Sequence, residues 1–105
     1  MALQNVNNTE ELHNLLQDGL VLVDYGAVWC PPCKTLLPIL EELDQDLVGK
    51  VRFVKVDCDQ LPDAASEAGV LSMPTVVIYQ NGSPMDKFVG LRPKSVYRQT
   101  IDKYM

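Results

Sequence analysis

The sequence has no run of about 18 apolar residues that would span a bilayer as a helix. The stretch Met1 to Glu11 carries neither the basic start nor the apolar middle of a secretion signal. A soluble, cytoplasmic protein with no membrane partner is expected. No cluster of lysine and arginine interleaved with aromatics occurs, and 14 acidic residues against 9 basic ones give a net charge of −5. Such a chain would repel a phosphate backbone, so no nucleic-acid partner is expected. There is one histidine, His13, and there are three cysteines, an odd number that argues against the disulfide framework of a secreted domain. Zinc held by two of the cysteines would need further ligands, and the third cysteine and His13 are all the chain offers, so no metal is expected. No repeat, low-complexity stretch or break in composition divides the 105 residues. That length suits one domain with a real core, and residues 1–105 are read as one.

What is present is a succession of short apolar runs separated by helix and turn signals. Asn8-Thr9-Glu10-Glu11 has the form of a capping box, opening a helix with Leu12, Leu15 and Leu16 on one face and Asp18-Gly19 at its end. Leu20-Val21-Leu22-Val23 is continuously apolar and too short for a buried helix, which predicts a central strand covered on both faces. A second helix is predicted from about Pro31 to Val48, carrying Leu36, Leu37, Ile39, Leu40, Leu43 and Leu47 at helical spacing and stopping at Gly49. Pro38 inside it predicts a kink.

Val51, Phe53, Val54 and Val56 form the next strand, and Pro62 to Ala68 a short helix ended by Gly69. Val76-Val77-Ile78-Tyr79 is a further strand, turned back at Asn81-Gly82 and returning through Met85 to Val89. Pro93 begins a last helix through Val96, Tyr97, Ile101 and Tyr104. Alternation in the first half implies parallel, right-handed crossovers, and the closing hairpin adds antiparallel strands. The expected fold is α/β, a mixed central sheet with helices on both faces.

The chemistry concentrates in Trp29-Cys30-Pro31-Pro32-Cys33-Lys34, where the first long strand turns into the second helix. A cysteine at a helix start faces unpaired backbone N–H groups and the positive end of the helix dipole, both of which stabilise a thiolate. Cys33 lies one turn on and on the same side, near enough to close a small disulfide ring. Cys30 is expected to be exposed and nucleophilic, and Cys33 to be sheltered and to resolve a mixed disulfide. Asp24 follows the apolar run. It reads either as a solvated strand-end carboxylate or as a buried acid with a raised pKa that exchanges a proton with Cys33. Ser72-Met73-Pro74-Thr75 precedes a central strand, where proline belongs at the strand start and a cis bond is plausible. Cys58 sits between Asp57 and Asp59, whose charges disfavour its thiolate, and is read as an inert cysteine. His13 reads as a solvent-facing helix residue without a role.

With these residues in place, the chain resembles the thioredoxin family over essentially its whole length. The matching landmarks are Val23-Asp24-Tyr25, Ala27, Trp29-Cys30-x-Pro32-Cys33-Lys34, Pro38, Val56-Asp57, Met73-Pro74-Thr75, Asn81-Gly82 and Val89-Gly90. The resemblance implies a thioredoxin-like fold and thiol–disulfide oxidoreductase activity toward protein disulfides, with Cys30 attacking, Cys33 resolving and Asp24 as the buried acid. It implies a cis Pro74 facing the dithiol and Met73 pairing its backbone with an extended substrate segment. Trp29, Pro31, Met73, Val89, Gly90 and Leu91 would line the docking rim. The implied partners are protein disulfides and an NADPH-dependent flavoprotein reductase; no bound cofactor is expected, and the protein is expected to be a monomer. The alternatives are an oxidase or isomerase that donates its disulfide, or a binding module that uses the fold without catalysis. Three residues depart from the family pattern: Pro31 where glycine is usual, Gly26 where many members carry a second tryptophan, and Leu91 where alanine is often found.

Overall fold

The computed structural model describes residues 3–105; Met1 and Ala2, where the N-terminal stretch discussed above begins, lie outside the described residues. In chain order the elements are β1 (Gln4–Asn5), α1 (Thr9–Leu16), β2 (Leu20–Gly26), α2 (Pro31–Asp46), β3 (Arg52–Asp57), α3 (Pro62–Glu67), β4 (Thr75–Gln80), β5 (Ser83–Val89) and α4 (Lys94–Asp102). The strands form one sheet in the order β1-β3-β2-β4-β5, parallel from β1 through β3 to β2 and antiparallel from β2 through β4 to β5. This is the mixed α/β architecture expected from the order of apolar runs.

All seven residues of β2 are buried, because helices cover both faces of the sheet. Alternate side chains go to opposite sides. Leu20 and Leu22 join Phe53, Val76 and Ile78 beneath Leu36, Leu40 and Leu43 of α2 and Tyr97 and Ile101 of α4. Val21, Val23 and Tyr25 join Val54, Val56 and Val77 against Leu12 of α1 and Ala64 of α3. Burying one such side chain contributes roughly 1.5–3 kcal/mol, so these two layers fix the register of β2. Within the second layer the Tyr25 and Tyr79 hydroxyls bond each other at 2.8 Å, which satisfies two polar groups that the core would otherwise strand.

Several boundaries differ from the sequence reading. β2 runs past the apolar stretch through Asp24 and Tyr25 to Gly26, because Asp24 and Tyr25 pair with both β3 and β4 and Gly26 pairs with Asp57 of β3. α2 stops at Asp46: Leu47 has left helical geometry (φ −117°, ψ 22°), and its carbonyl accepts from Lys50 and Val51 in a turn. Pro93 is the N-cap of α4, not its first helical residue, and Tyr104 lies beyond the helix end. Half of the α1 capping box is present, Asn8 Oδ1 accepting from Glu11 N–H at 2.8 Å; the Glu11 carboxylate bonds Asn7 N–H instead of Asn8. The β4–β5 turn places Asn81 at φ 50° and Gly82 at φ 89°, the paired positive angles of a tight hairpin.

Candidate active site

β2 ends at Gly26, and the chain passes through Ala27, Val28 and Trp29 to Cys30, the N-cap of α2 (φ −92°, ψ 111°). Pro31 and Pro32 take the first helical positions and have no N–H to offer. The Cys33 N–H donates to Cys30 Sγ at 3.3 Å, so the sulfur does the work that a serine or aspartate oxygen does at other helix starts. Cys30 and Cys33 are joined as a disulfide with Cα atoms 5.3 Å apart. The sequence expected Cys30 to be the more open of the two, and the disulfide form differs: Cys30 is 4 % exposed and Cys33 8 %. Cys30 packs with Ala27 and Met73, whereas Cys33 also borders a cleft on the Gly26 side.

Around the disulfide, Trp29 is 61 % exposed and its indole N–H donates to Asp59 at 2.6 Å. The Met73–Pro74 peptide is cis, and Met73 packs on the Ala27–Cys30–Cys33 cluster. Gly90 N–H donates to the Pro74 carbonyl at 2.8 Å, and Val89 pairs with Thr75, which sets Val89, Gly90 and Leu91 alongside Pro74. Gly90 has φ +86°, a conformation that a side chain would strain. Pro31, Val89 and Leu91 are exposed, whereas Pro74 is buried.

Asp24 is buried beneath α2, and its Oδ1 has no hydrogen-bond partner among the described residues. Burial pushes its carboxyl up to about 6, with the Lys55 ammonium pulling the other way. The solvated reading of this residue is therefore excluded. Cys58 is half-buried, and its thiol is pushed up to about 11, first by burial and then by Asp57, Asp24 and Asp59. The neighbouring charges were visible in the sequence, but the larger cause was not. His13 faces solvent on α1, as read from the sequence, and its Nε2 lies 2.8 Å from Oε1 of the equally exposed Glu67 on α3.

Sequence reasoning missed three residues. Lys55 is the register partner of Asp24, signalled only by a lysine between Val54 and Val56. Asp59 holds the Trp29 indole from the turn after β3. Leu71 is 99 % exposed two residues before Met73, an apolar side chain left in water next to the rim. Among the described residues no group of three or more His, Cys, Asp or Glu side chains is arranged to hold a metal, and no helix is long and apolar enough to cross a membrane.

A dithiol that caps a helix and closes to a disulfide at the end of a central strand defines a thiol–disulfide oxidoreductase. The thioredoxin family model matches residues 2–103. The chain is 40 % identical to a thioredoxin of Staphylococcus haemolyticus and 38 % identical to one of Staphylococcus aureus, each over the full length of both chains. Among solved structures it resembles Plasmodium falciparum thioredoxin (TM-score 0.90, 35 % identity, 98 % of this chain and 100 % of that one). It also resembles the oxidised form of mitochondrial thioredoxin 3 from Saccharomyces cerevisiae (TM-score 0.86, 36 % identity, 95 % and 94 %). The chain belongs to the thioredoxin family, and its activity is that of a protein-disulfide reductase.

Proposed function

We propose that Cys30 is the attacking sulfur, Cys33 the resolving sulfur and Asp24 the proton acceptor for Cys33. The observation that carries this reading is the position of Cys30 at the N-cap of α2, with a helix N–H donated to its sulfur. Negative charge on Cys30 is stabilised there by that donor and by the helix dipole. The Cys30 thiolate attacks one sulfur of a protein disulfide; a Cys30–substrate disulfide forms, and the other substrate sulfur leaves as a thiolate that takes a proton from water. Cys33 then loses its proton toward Asp24 and attacks the Cys30 sulfur. The second substrate thiolate leaves, and two electrons have passed from the dithiol to the substrate.

The apolar rim of exposed Trp29, Pro31, Val89 and Leu91 and half-buried Met73 and Gly90 would dock the substrate, with the backbone of Met73, before cis Pro74, pairing with an extended segment. An NADPH-dependent flavoprotein reductase would return the electrons. The Cys30-Pro31-Pro32-Cys33 sequence would set the potential at which this happens. Residues 1–105 would act as one domain, as a monomer in the cytoplasm. Reduction of insulin disulfides, followed with Cys30→Ser and Cys33→Ser, tests the assignment: both variants should lose turnover, and retained turnover in either would overturn it. A redox titration adds the direction of use. A potential near the cytosolic range, roughly −270 mV as in reductive members of the fold, fits a reductase, and one near −120 mV fits a disulfide donor.

A further inference from the structure

Exposed Arg92 follows the rim residues Val89, Gly90 and Leu91 and is anchored on both sides. Its backbone N–H donates to the Tyr97 hydroxyl at 3.1 Å, and Tyr97 is fully buried, packed edge-on against Phe88. Pro93 comes next and restricts the chain there. The side chain turns back along the rim: Nη1 donates to the Leu91 carbonyl at 3.3 Å and lies 3.7 Å from where a Gly90 Cβ would stand. That bond uses one of the five guanidinium N–H donors and leaves a fork able to take a carboxylate. Acidic residues outnumber basic ones 14 to 9, yet none pairs with Arg92 among the described residues. Lys94 differs, because Glu42 and Asp46 of α2 take its ammonium at 2.7 and 3.0 Å. Lys34 lies at the cleft of Asp24, Gly26 and Val28. The sheet order sets what faces Arg92 across the site. Asp59 follows β3, Cys30 follows β2, Pro74 precedes β4 and Arg92 follows β5. Those four strands lie side by side as β3-β2-β4-β5, with these ends together. Asp59 is exposed and holds the Trp29 indole N–H, and Asp57 accepts from the Asp59 N–H. The disulfide and Pro74 therefore sit between a negative flank and a positive one.

We propose that Arg92 is a specificity-determining residue for the disulfide substrate: it receives an aspartate or glutamate of the segment that crosses the rim, and so sets which way that segment lies. The proposal deepens the docking reading of Val89, Gly90 and Leu91 and rests on it. A substrate cysteine at Cys30 has chain on either side. One side runs over Gly90 and Leu91 toward Arg92, where a carboxylate finds a guanidinium with free donors. The other runs past Trp29 toward Asp57 and Asp59, where a carboxylate is repelled and a lysine or arginine is welcome. A segment with an acid on the Arg92 side is favoured over the same segment reversed. An exposed ion pair of this kind changes a rate by a factor of about two to five and is screened by salt. Its effect is therefore on the choice and orientation of substrate, and Arg92 takes no part in the sulfur chemistry.

The test uses the full chain, reduced, and two isomeric peptides with blocked ends. Each has a single cysteine linked by a disulfide to uncharged 2-thiopyridine. One peptide carries two glutamates before the cysteine and two lysines after it, and the other carries them in reverse. The Cys30 thiolate attacks the peptide sulfur, the pyridine thiolate leaves and takes a proton from water, and its absorbance gives the rate. The isomers have the same net charge, so the overall charge of −5 treats them alike. The parent should consume one isomer at least about threefold faster at low salt, and the difference should shrink at about 1 M salt. Arg92→Lys should keep the preference for the same isomer, Arg92→Gln should at least halve the ratio, and Arg92→Glu should abolish or reverse it. Circular dichroism checks that these surface variants fold. Equal rates for the two isomers in the parent, or a ratio that persists in Arg92→Glu, overturn the proposal. Leu91→Ser separates that failure from failure of the docking reading. It should slow both isomers alike. Such slowing, with a ratio that persists in Arg92→Glu, keeps the rim and overturns Arg92 alone; no slowing overturns the rim on which Arg92 depends.

Discussion

The backbone N–H of Cys33 donates to the sulfur of Cys30 at 3.3 Å, across a helix turn whose two intervening residues, Pro31 and Pro32, have no N–H. The Cys30 sulfur thus draws on one helix donor where an ordinary N-terminus offers several. A thiolate at Cys30 would draw the rest of its stabilisation from the helix dipole.

Pro31→Gly adds one donor at the first helical position. That donor points less directly at a capping atom than the N–H of Cys33, so the gain is small. The Cys30 pKa should fall by less than about one unit, under about 1.4 kcal/mol. Thiolate absorbance titration of the reduced proteins checks this. A clear rise in the glycine variant would mean that the rigid shape of proline, and not the missing donor, governs the site.

Limiting iodoacetamide at neutral pH should label Cys30 first in the reduced protein, although the disulfide form buries both sulfurs. The burial seen there belongs to the closed ring, and the helix terminus favours charge on Cys30 once the ring opens. Cys58 should be the slowest, because a thiol pushed up to about 11 is ionised to only about one part in ten thousand at neutral pH. Peptide mapping decides the order, and early labelling of Cys58 would contradict it.

Asp24→Asn should stabilise the oxidised protein increasingly as pH rises. The carboxyl is raised from 3.8 to about 6, so between those values the folded chain holds a proton that the unfolded chain has lost. Stability then falls as pH rises through that window, and the parent loses up to about 3 kcal/mol that a neutral amide avoids. The unsatisfied oxygen persists in the amide, so the observed gain should be smaller. Urea unfolding at pH 4 and pH 7 measures it; a difference independent of pH would mean that Asp24 ionises freely. Turnover of the variant should drop over the same range.

The buried Tyr25–Tyr79 hydroxyl pair gives a stability prediction far from the sulfurs. Tyr25→Phe strands the Tyr79 hydroxyl and should cost about 1–3 kcal/mol, whereas Tyr25→Phe with Tyr79→Phe should cost less than the single changes summed. Additive losses in a denaturation cycle would show that the two hydroxyls do not depend on each other.

Much of the site was legible because its signals are local. Pro31-Pro32 after a cysteine marks a helix start, and the apolar run before it marks the strand that feeds the turn, so the relation of Cys30 to Cys33 followed from spacing. The end of β2 was not legible. Asp24-Tyr25-Gly26 has no apolar pattern; Asp24 and Tyr25 are placed inside the sheet by pairing with β3 and β4 on either side, and Gly26 by pairing with β3. His13 and Glu67 lie on different helices, and no local pattern brings them to 2.8 Å. Gly26 could be noticed as a departure, but its closeness to Cys33 comes only from the packing of α2 on the sheet. Lys55 was hidden for the same reason: its partner is on the neighbouring strand.

In the proposed mechanism Cys30 makes the first bond with the substrate and Cys33 breaks it. Trapping measures this directly. Reduced Cys33→Ser and Cys30→Ser proteins are mixed with a disulfide-bonded protein such as insulin, quenched with acid, and the cross-linked peptides are mapped. A stable mixed disulfide through Cys30 should form in the Cys33→Ser protein and little or none in Cys30→Ser. A mixed disulfide formed mainly through Cys33 or Cys58 would contradict it.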